Sequence, residues 1–422
     1  MIKIGRSILL IIIFLALGSE MFGLSSKKKA PVVVVEQPAV VIKKLGYNVP
    51  KKCIVTGGSG FVGRRLVEML VERGAELVIA VDVAPAPSDA EKNDKIKWLQ
   101  GDLSKPADVD IAFAECPGCE MIYHIAALVG PYHPKEAYEK VNYQGTVNLL
   151  DACKKYDVKR FVMSSSPSTR FPYPDPNVEG LTEEQLYEKN GGDFTPVFLQ
   201  PYAETKAMGE RVVRDACGTK ESDFLSIAVA PHQVYGPRDG LFLPSLLETA
   251  GSGKLRIFGD GQNKISFCHV DNYCHGLILG GEALYPGSPA LGKFYIVTDG
   301  GALKFWDVLD QAVVAMGFKS LHEKFHLPTW FMMTLAYITV FIGNIWSALT
   351  GTPKHIINYK LKLNPFAVKM LIIHRYFDIA GAKRDLKYEP IITFEQGWAE
   401  TIEWFQKNWL PKYLEKKNAA TK

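Results

Sequence analysis

Ile54-Val55-Thr56-Gly57-Gly58-Ser59-Gly60-Phe61-Val62-Gly63 is an apolar run that breaks into glycines and resumes as an amphipathic segment reaching Arg73. The run before the glycines predicts a strand, and the segment after them predicts a helix. Glycines at 57, 60 and 63 permit a tight turn, close approach of a ligand to the backbone, and close packing of helix on strand. A helix beginning there aims its free N–H groups and positive dipole end at an anion. Gly57, Gly60, Phe61, Val62 and Gly63 therefore read as a pyrophosphate cradle. The next apolar run, Val78-Ile-Ala-Val-Asp82, ends in an acid whose carboxylate accepts hydrogen bonds from both hydroxyls of an adenosine ribose. The same charge repels a 2′-phosphate, and Val83 and Ala84 supply no arginine to offset it, so the expected dinucleotide is NAD rather than NADP.

Outward from this stretch, short apolar runs alternate with helix-like segments: Cys53–Thr56, Leu77–Val81, Ile96–Leu99, Met121–Ile125, Phe161–Ser164 and Leu225–Ala230. That alternation predicts an α/β fold, a Rossmann-type doubly wound parallel sheet with helices on both faces. The 422 residues suffice for this domain with extensions, here divided into a cofactor-binding domain over 51–240 and a smaller C-terminal substrate-binding region over 241–415. A net charge of +4 with scattered basic residues argues against nucleic acid as a partner. Cys116-Pro-Gly-Cys119 lacks the second ligand pair a zinc site requires, so no metal is expected and the motif reads as a turn. Asp102, after the third run, is placed to reach an adenine amino group or to serve as a turn residue, and Ala126 lets the backbone after the fourth run approach the cofactor.

Chemistry enters with Tyr202-Ala-Glu-Thr-Lys206. Spacing of i, i+4 puts the phenol and the ammonium on one helix face. A free tyrosine, with a pKa of about 10, is a poor base at neutral pH. A neighbouring cation and a positive nicotinamide ring favour its phenolate. The Ser164-Ser165-Ser166 run ends a strand ahead of this helix, where a serine can hydrogen-bond the reacting oxygen.

Two apolar stretches point to a membrane. Ile8–Leu17, after Lys3 and Arg6, fits either a signal-peptide core or, counted through residue 24, an uncleaved anchor; residues 25–50 read as a proline-containing linker. Trp330 to Leu349 is twenty residues without a charge, long enough to span a bilayer or to lie in one leaflet, the alternative being a helix buried in the domain.

Together, Gly57xxGly60xxGly63, Asp82, Asp102, Asn142 in VNYQGT, the serine run and Tyr202xxxLys206 resemble the extended short-chain dehydrogenase/reductase family over about residues 51–405. The late hydrophobic stretch, the Leu386-Lys-Tyr-Glu-Pro390 turn with its closing helix, and Ser166-Pro-Ser-Thr-Arg-Phe171 are similar to its 3β-hydroxysteroid dehydrogenase branch. The resemblance implies oxidation of the 3β-hydroxyl of a sterol or steroid by NAD, foremost a 4α-carboxysterol with decarboxylation. A dehydrogenase with Δ5-Δ4 isomerase activity, a nucleotide-sugar epimerase or dehydratase, and a non-catalytic NAD-binding protein remain alternatives. It makes Tyr202 the general base, Lys206 its partner and a ribose ligand, and Ser166 the oxygen-stabilising serine with Ser165 as the alternative. Asn142 either supports the lysine through water or is a plain helix residue. Pro231 and Val234 pass beside the nicotinamide, while His232 touches its carboxamide or is structural. Implied too are an endoplasmic-reticulum membrane with the catalytic domain facing the cytosol, and compatibility with a homodimer. Two departures stand out. Ala230-Pro231 replaces the Arg-Pro of many relatives, and a proline-rich insertion between Ser166 and Tyr202 is expected to form a lid or wall of the substrate pocket.

Overall fold

A computed structural model describes residues 48–130, 133–218, 223–361 and 363–421. The expected signal or anchor at 1–24, and the linker 25–50 up to residue 47, lie outside these residues. Seven strands form the main sheet: β1 (Lys52–Thr56), β2 (Leu77–Asp82), β3 (Ile96–Gln100), β4 (Met121–His124), β5 (Arg160–Ser164), β6 (Leu225–Pro231) and β7 (Phe294–Val297). All pairings are parallel, in the order β7-β6-β5-β4-β1-β2-β3. The order reverses between β1 and β4, which opens a crevice at the carboxyl ends of those two strands.

The central strands read as continuous apolar runs because both faces are covered. On one face, α1 (Phe61–Glu72) and the later helix Val270–Glu282 bury Leu66, Leu70, Leu277 and Ile278. On the other, α2 (Pro106–Ala114), α3 (Gly145–Lys155) and α4 (Pro201–Asp215) bury Val109, Phe113, Leu149 and Val213. Six of the seven strands match the apolar runs of the sequence. The seventh, Phe294-Tyr-Ile-Val297, is four residues between turns and too short to declare its period.

The chain crosses between two lobes on both sides of residue 240. β7 joins the main sheet from the C-terminal half. Conversely Val178–Leu181, within the proline-rich insertion, pairs in parallel with Arg375–Phe377 in a small sheet completed by Lys264–Ile265 and Leu303–Lys304. The insertion is thus tied by backbone hydrogen bonds to the smaller lobe, and a capping box from Thr182 and Gln185 starts its helix Glu183–Asn190. The smaller lobe has its own core of Leu243, Leu247, Phe267, Trp306, Leu309, Trp398 and Phe405.

The stretch 330–349 forms the helix Thr329–Thr350, of mean hydropathy 1.5. Met332 and Ala336 dock it on Val368. Phe331 and Met333 lie partly buried beside this contact, while Tyr337, Phe341, Ile345 and Leu349 are exposed at successive turns. A helix buried inside the domain, the alternative weighed from sequence, does not fit this exposure.

Candidate active site

The glycine turn is built as tightly as its sequence requires. Gly57 adopts φ +70°, and a Cβ there would lie 2.8 Å from the backbone of Ala126, which crosses directly over it. A Cβ on Gly63 would lie 2.0 Å from the Gly57 carbonyl oxygen, so α1 sits closer to β1 than any side chain allows. Gly60 caps α1 without a side-chain hydrogen bond, and no acid stands in the first turn, which leaves the N–H groups of Phe61, Val62 and Gly63 for an anion. Asp82 closes the far side: its Oδ2 accepts from Ser59 N at 3.1 Å and its Oδ1 from Ala84 N at 3.0 Å. Arg64, a nearby cation, is held by Glu68 and Asp89 at 3.0 and 2.7 Å. The crevice therefore fits a dinucleotide carrying a bare ribose.

Asp102 sits beyond, where its Oδ1 accepts from the Ser104 amide at 2.9 Å and the Ser104 hydroxyl at 2.7 Å. These bonds fix the turn after β3. Pro231 and Val234, at the end of β6 and just after it, are half-exposed toward the same edge.

Tyr202 and Lys206 lie on α4, with Pro201 presetting its first turn. The three consecutive serines after β5 each find a different partner. Ser164 Oγ accepts from Tyr273 OH at 2.7 Å, and Ser165 Oγ donates to the buried Glu210 carboxylate at 2.6 Å. Ser166, half-exposed, is the one in hydrogen-bonding reach of the Tyr202 phenol, and its Oγ also meets Ser168 Oγ at 2.8 Å. Of the two serines between which the sequence leaves the choice open, Ser166 faces the tyrosine and Ser165 faces the Glu210 carboxylate.

Lys206 is almost wholly buried, and its Nζ donates to the Ser164 carbonyl at 2.6 Å. Burial pushes the ammonium down to about 8, opposed by the negative Glu210. Burial also pushes the Tyr202 phenol up to about 12, opposed by Ser166. The i, i+4 spacing predicts that the ammonium lowers the phenol; in the structure shielding from water dominates, and Nζ donates to the Ser164 carbonyl. Asn142 is buried, its amide donating to Leu128 O and to Thr205 Oγ1, both at 3.2 Å, while its Oδ1 accepts from Leu128 N at 2.7 Å. It pins the loop after β4 to the helix turn that carries Tyr202 and Lys206. Both ring nitrogens of His232 are engaged within the protein. The ring is buried between Ser266 O, 2.7 Å from Nδ1, and Arg375 Nη1, 3.3 Å from Nε2, which is the structural reading.

One group went unseen in the sequence. Glu210 is fully buried beneath the serine run, paired with Arg170 through both carboxylate oxygens and with Arg214 at 3.3 Å. Although burial works against it, Arg170 holds this carboxyl below its usual range. The signal was present: Tyr202, Lys206 and Glu210 are spaced i, i+4, i+8 on one face.

A sequence profile described as the 3-beta hydroxysteroid dehydrogenase/isomerase family matches residues 54–328. The chain belongs to that family. It is an oxidoreductase of the extended short-chain dehydrogenase type. Among its relatives is the sterol-4-alpha-carboxylate 3-dehydrogenase, decarboxylating, of Homo sapiens, 30% identical over 369 residues that cover 86% of this chain and 91% of the relative. Another is the 3-beta-hydroxysteroid dehydrogenase of Mycolicibacterium neoaurum, 33% identical, covering 84% of this chain and 91% of that protein. Solved structures share the fold: a dTDP-glucose 4,6-dehydratase from Bacillus anthracis in complex with NAD matches with a TM-score of 0.60 at 19% identity, covering 86% of this chain and 99% of that one. A UDP-glucose 4-epimerase from Thermotoga maritima with UDP-glucose matches with a TM-score of 0.60 at 21% identity, over 84% and 98%.

Proposed function

We propose that this protein oxidises the 3β-hydroxyl of a 4α-carboxysterol, with NAD as its cofactor, to a ketone that loses CO₂. The observation that carries the reading is the meeting of Tyr202 with Ser166 at the carboxyl edge of a sheet whose glycine turn and Asp82 fit a dinucleotide. The names of the family and of the human relative support the sterol acid over other alcohols. When bound, NAD⁺ supplies the hydride acceptor for C3. Gly57, Gly60 and the N–H groups of residues 61–63 hold the pyrophosphate, Asp82 the ribose, and Pro231 and Val234 flank the reactive ring. Ser166 hydrogen-bonds the substrate oxygen and Tyr202 takes its proton. Lys206 holds a positive charge behind the phenol, offsetting the cost that burial imposes on the phenolate. The 3-keto-4-carboxylate then breaks its C4–carboxyl bond, the electron pair passing into an enolate that a proton quenches; no further residue is required. Purified protein given NAD⁺ and 3β-hydroxysterols with and without the 4α-carboxylate is expected to release NADH and CO₂ in equal amounts from the acids. NADH without CO₂ from the acids sinks the decarboxylating reading.

The helix Thr329–Thr350 supports a membrane site for this chemistry, because a lipid-dissolved substrate must reach the pocket from a bilayer. Its exposed stripe is proposed to sit in lipid, on an endoplasmic-reticulum membrane with the catalytic lobes in the cytosol. In a chain lacking residues 1–24, Phe341→Lys with Ile345→Lys is expected to cut binding to phosphatidylcholine vesicles at least tenfold. Undiminished flotation of that variant with vesicles contradicts the placement.

A further inference from the structure

Arg375 begins the central strand of the small sheet and is 7% exposed. Its Nη2 donates to Met370 O at 2.7 Å and its Nη1 meets His232 Nε2 at 3.3 Å, but its Nε has no partner. No ion pair to it is seen among the described residues, in contrast to Arg170, which is as deeply buried and fully matched by Glu210. His232 adds no negative charge. Its Nδ1 lies 2.7 Å from the Ser266 carbonyl and so donates, leaving Nε2 as a neutral acceptor, and burial with Arg375 beside it pushes the ring down to about 3. Burying a cation without an anion is costly, so its burial here points to a charge supplied from outside the chain.

The location says what supplies it. β5 and β6 run side by side with Ser164 opposite Val229, and the Ser165 amide donates to Val229 O at 2.9 Å, so the turn that carries Ser166 leaves the sheet beside the last residues of β6. His232 is the next residue, and Arg375 is hydrogen-bonded to it from the smaller lobe. The guanidinium is thus held, through His232, just past the carboxyl end of β6, the strand next to the one whose terminal serine run reaches Tyr202.

We propose that Arg375, braced by His232 and by the Met370 carbonyl, is the receptor for an anionic substituent on the substrate, namely the carboxylate borne by the carbon next to the one oxidised. This deepens the sterol-acid reading and rests on it. The unpaired Nε–H is the donor left for that carboxylate, and the neutral imidazole orients the guanidinium without competing for it. The subsite acts in binding; the loss of CO₂ is left to the β-keto acid itself.

The test uses the full chain in detergent with saturating NAD⁺, and compares a 4α-carboxy-3β-hydroxysterol with the same sterol bearing a 4α-methyl group. Arg375→Met is expected to raise KM for the acid 30- to 100-fold with a smaller change in kcat. Its loss of kcat/KM on the acid should exceed its loss on the methyl sterol at least tenfold, and Arg375→Lys should recover part of it. Because the cation has no protein anion to abandon, Arg375→Met should unfold at no lower denaturant concentration than the wild type. Thermal stabilisation by the acid without turnover gives a second readout: present in the wild type, lost in Arg375→Met. Equal losses on both sterols, or an unchanged KM for the acid, overturn the subsite while leaving the sterol reading intact. A wild type that oxidises neither sterol overturns the sterol reading itself, and an absence of stabilisation by the acid overturns the subsite independently.

Discussion

Tyr202→Phe is expected to lower kcat for sterol oxidation by about 10³- to 10⁴-fold, while the Kd for NAD⁺ stays within about twofold. A thousandfold loss corresponds to about 4 kcal/mol of barrier. The substitution removes one oxygen and keeps the ring, which meets Tyr138 edge-on with centroids 6.2 Å apart, so the first turn of α4 should hold its place. Ser166 retains its partner Ser168. What disappears is the phenol oxygen that takes the proton, and the lysine one turn on donates instead to the Ser164 carbonyl. Turnover measured under saturating cofactor, alongside NAD⁺ titration by fluorescence, checks both halves. A variant with more than a tenth of wild-type kcat removes Tyr202 from the chemistry.

Glu210→Leu carries the largest expected cost in stability, about 3–5 kcal/mol, because it leaves Arg170 buried without its anion. Arg170 is 4% exposed, and its guanidinium also lies 3.4 Å from the centre of the Phe294 ring, so the charge has no route to water. The same change deprives Ser165 of its acceptor, freeing the turn on which Ser166 stands. The denaturant midpoint should fall, and kcat should fall with it even where the protein remains folded. The double variant Arg170→Met, Glu210→Leu should regain most of the stability, since no uncompensated charge is left. Equal destabilisation in the single and double variants contradicts the pairing argument.

The sheet was legible because parallel strands covered on both faces are written as unbroken apolar runs, and the glycine turn because backbone crowding excludes every other residue at Gly63. β7 was not, being four residues whose neighbours carry no period. Tyr202 and Lys206 could be placed on one helix face from spacing alone, yet the direction of Nζ toward Ser164 depends on a carbonyl 42 positions away and has no local mark. Beyond the end of β5 the alternation of a strand no longer applies, so Ser165 and Ser166 could not be told apart until Glu210 was found beneath one of them. Arg375 is the extreme case. As letters it is one arginine in a strand; its meaning lies in its burial without an ion-pair partner among the described residues, which only the folded chain displays.

The central claim is that C3 of a sterol acid gives up hydride at the edge where Tyr202 and Ser166 meet. Supplying a 4α-carboxy-3β-hydroxysterol deuterated at C3 and weighing the reduced dinucleotide by mass spectrometry tests it most directly. Deuterium carried into NADH in step with ketone formation is the result expected. Ketone formed with unlabelled NADH, or no reduced dinucleotide at all, contradicts it.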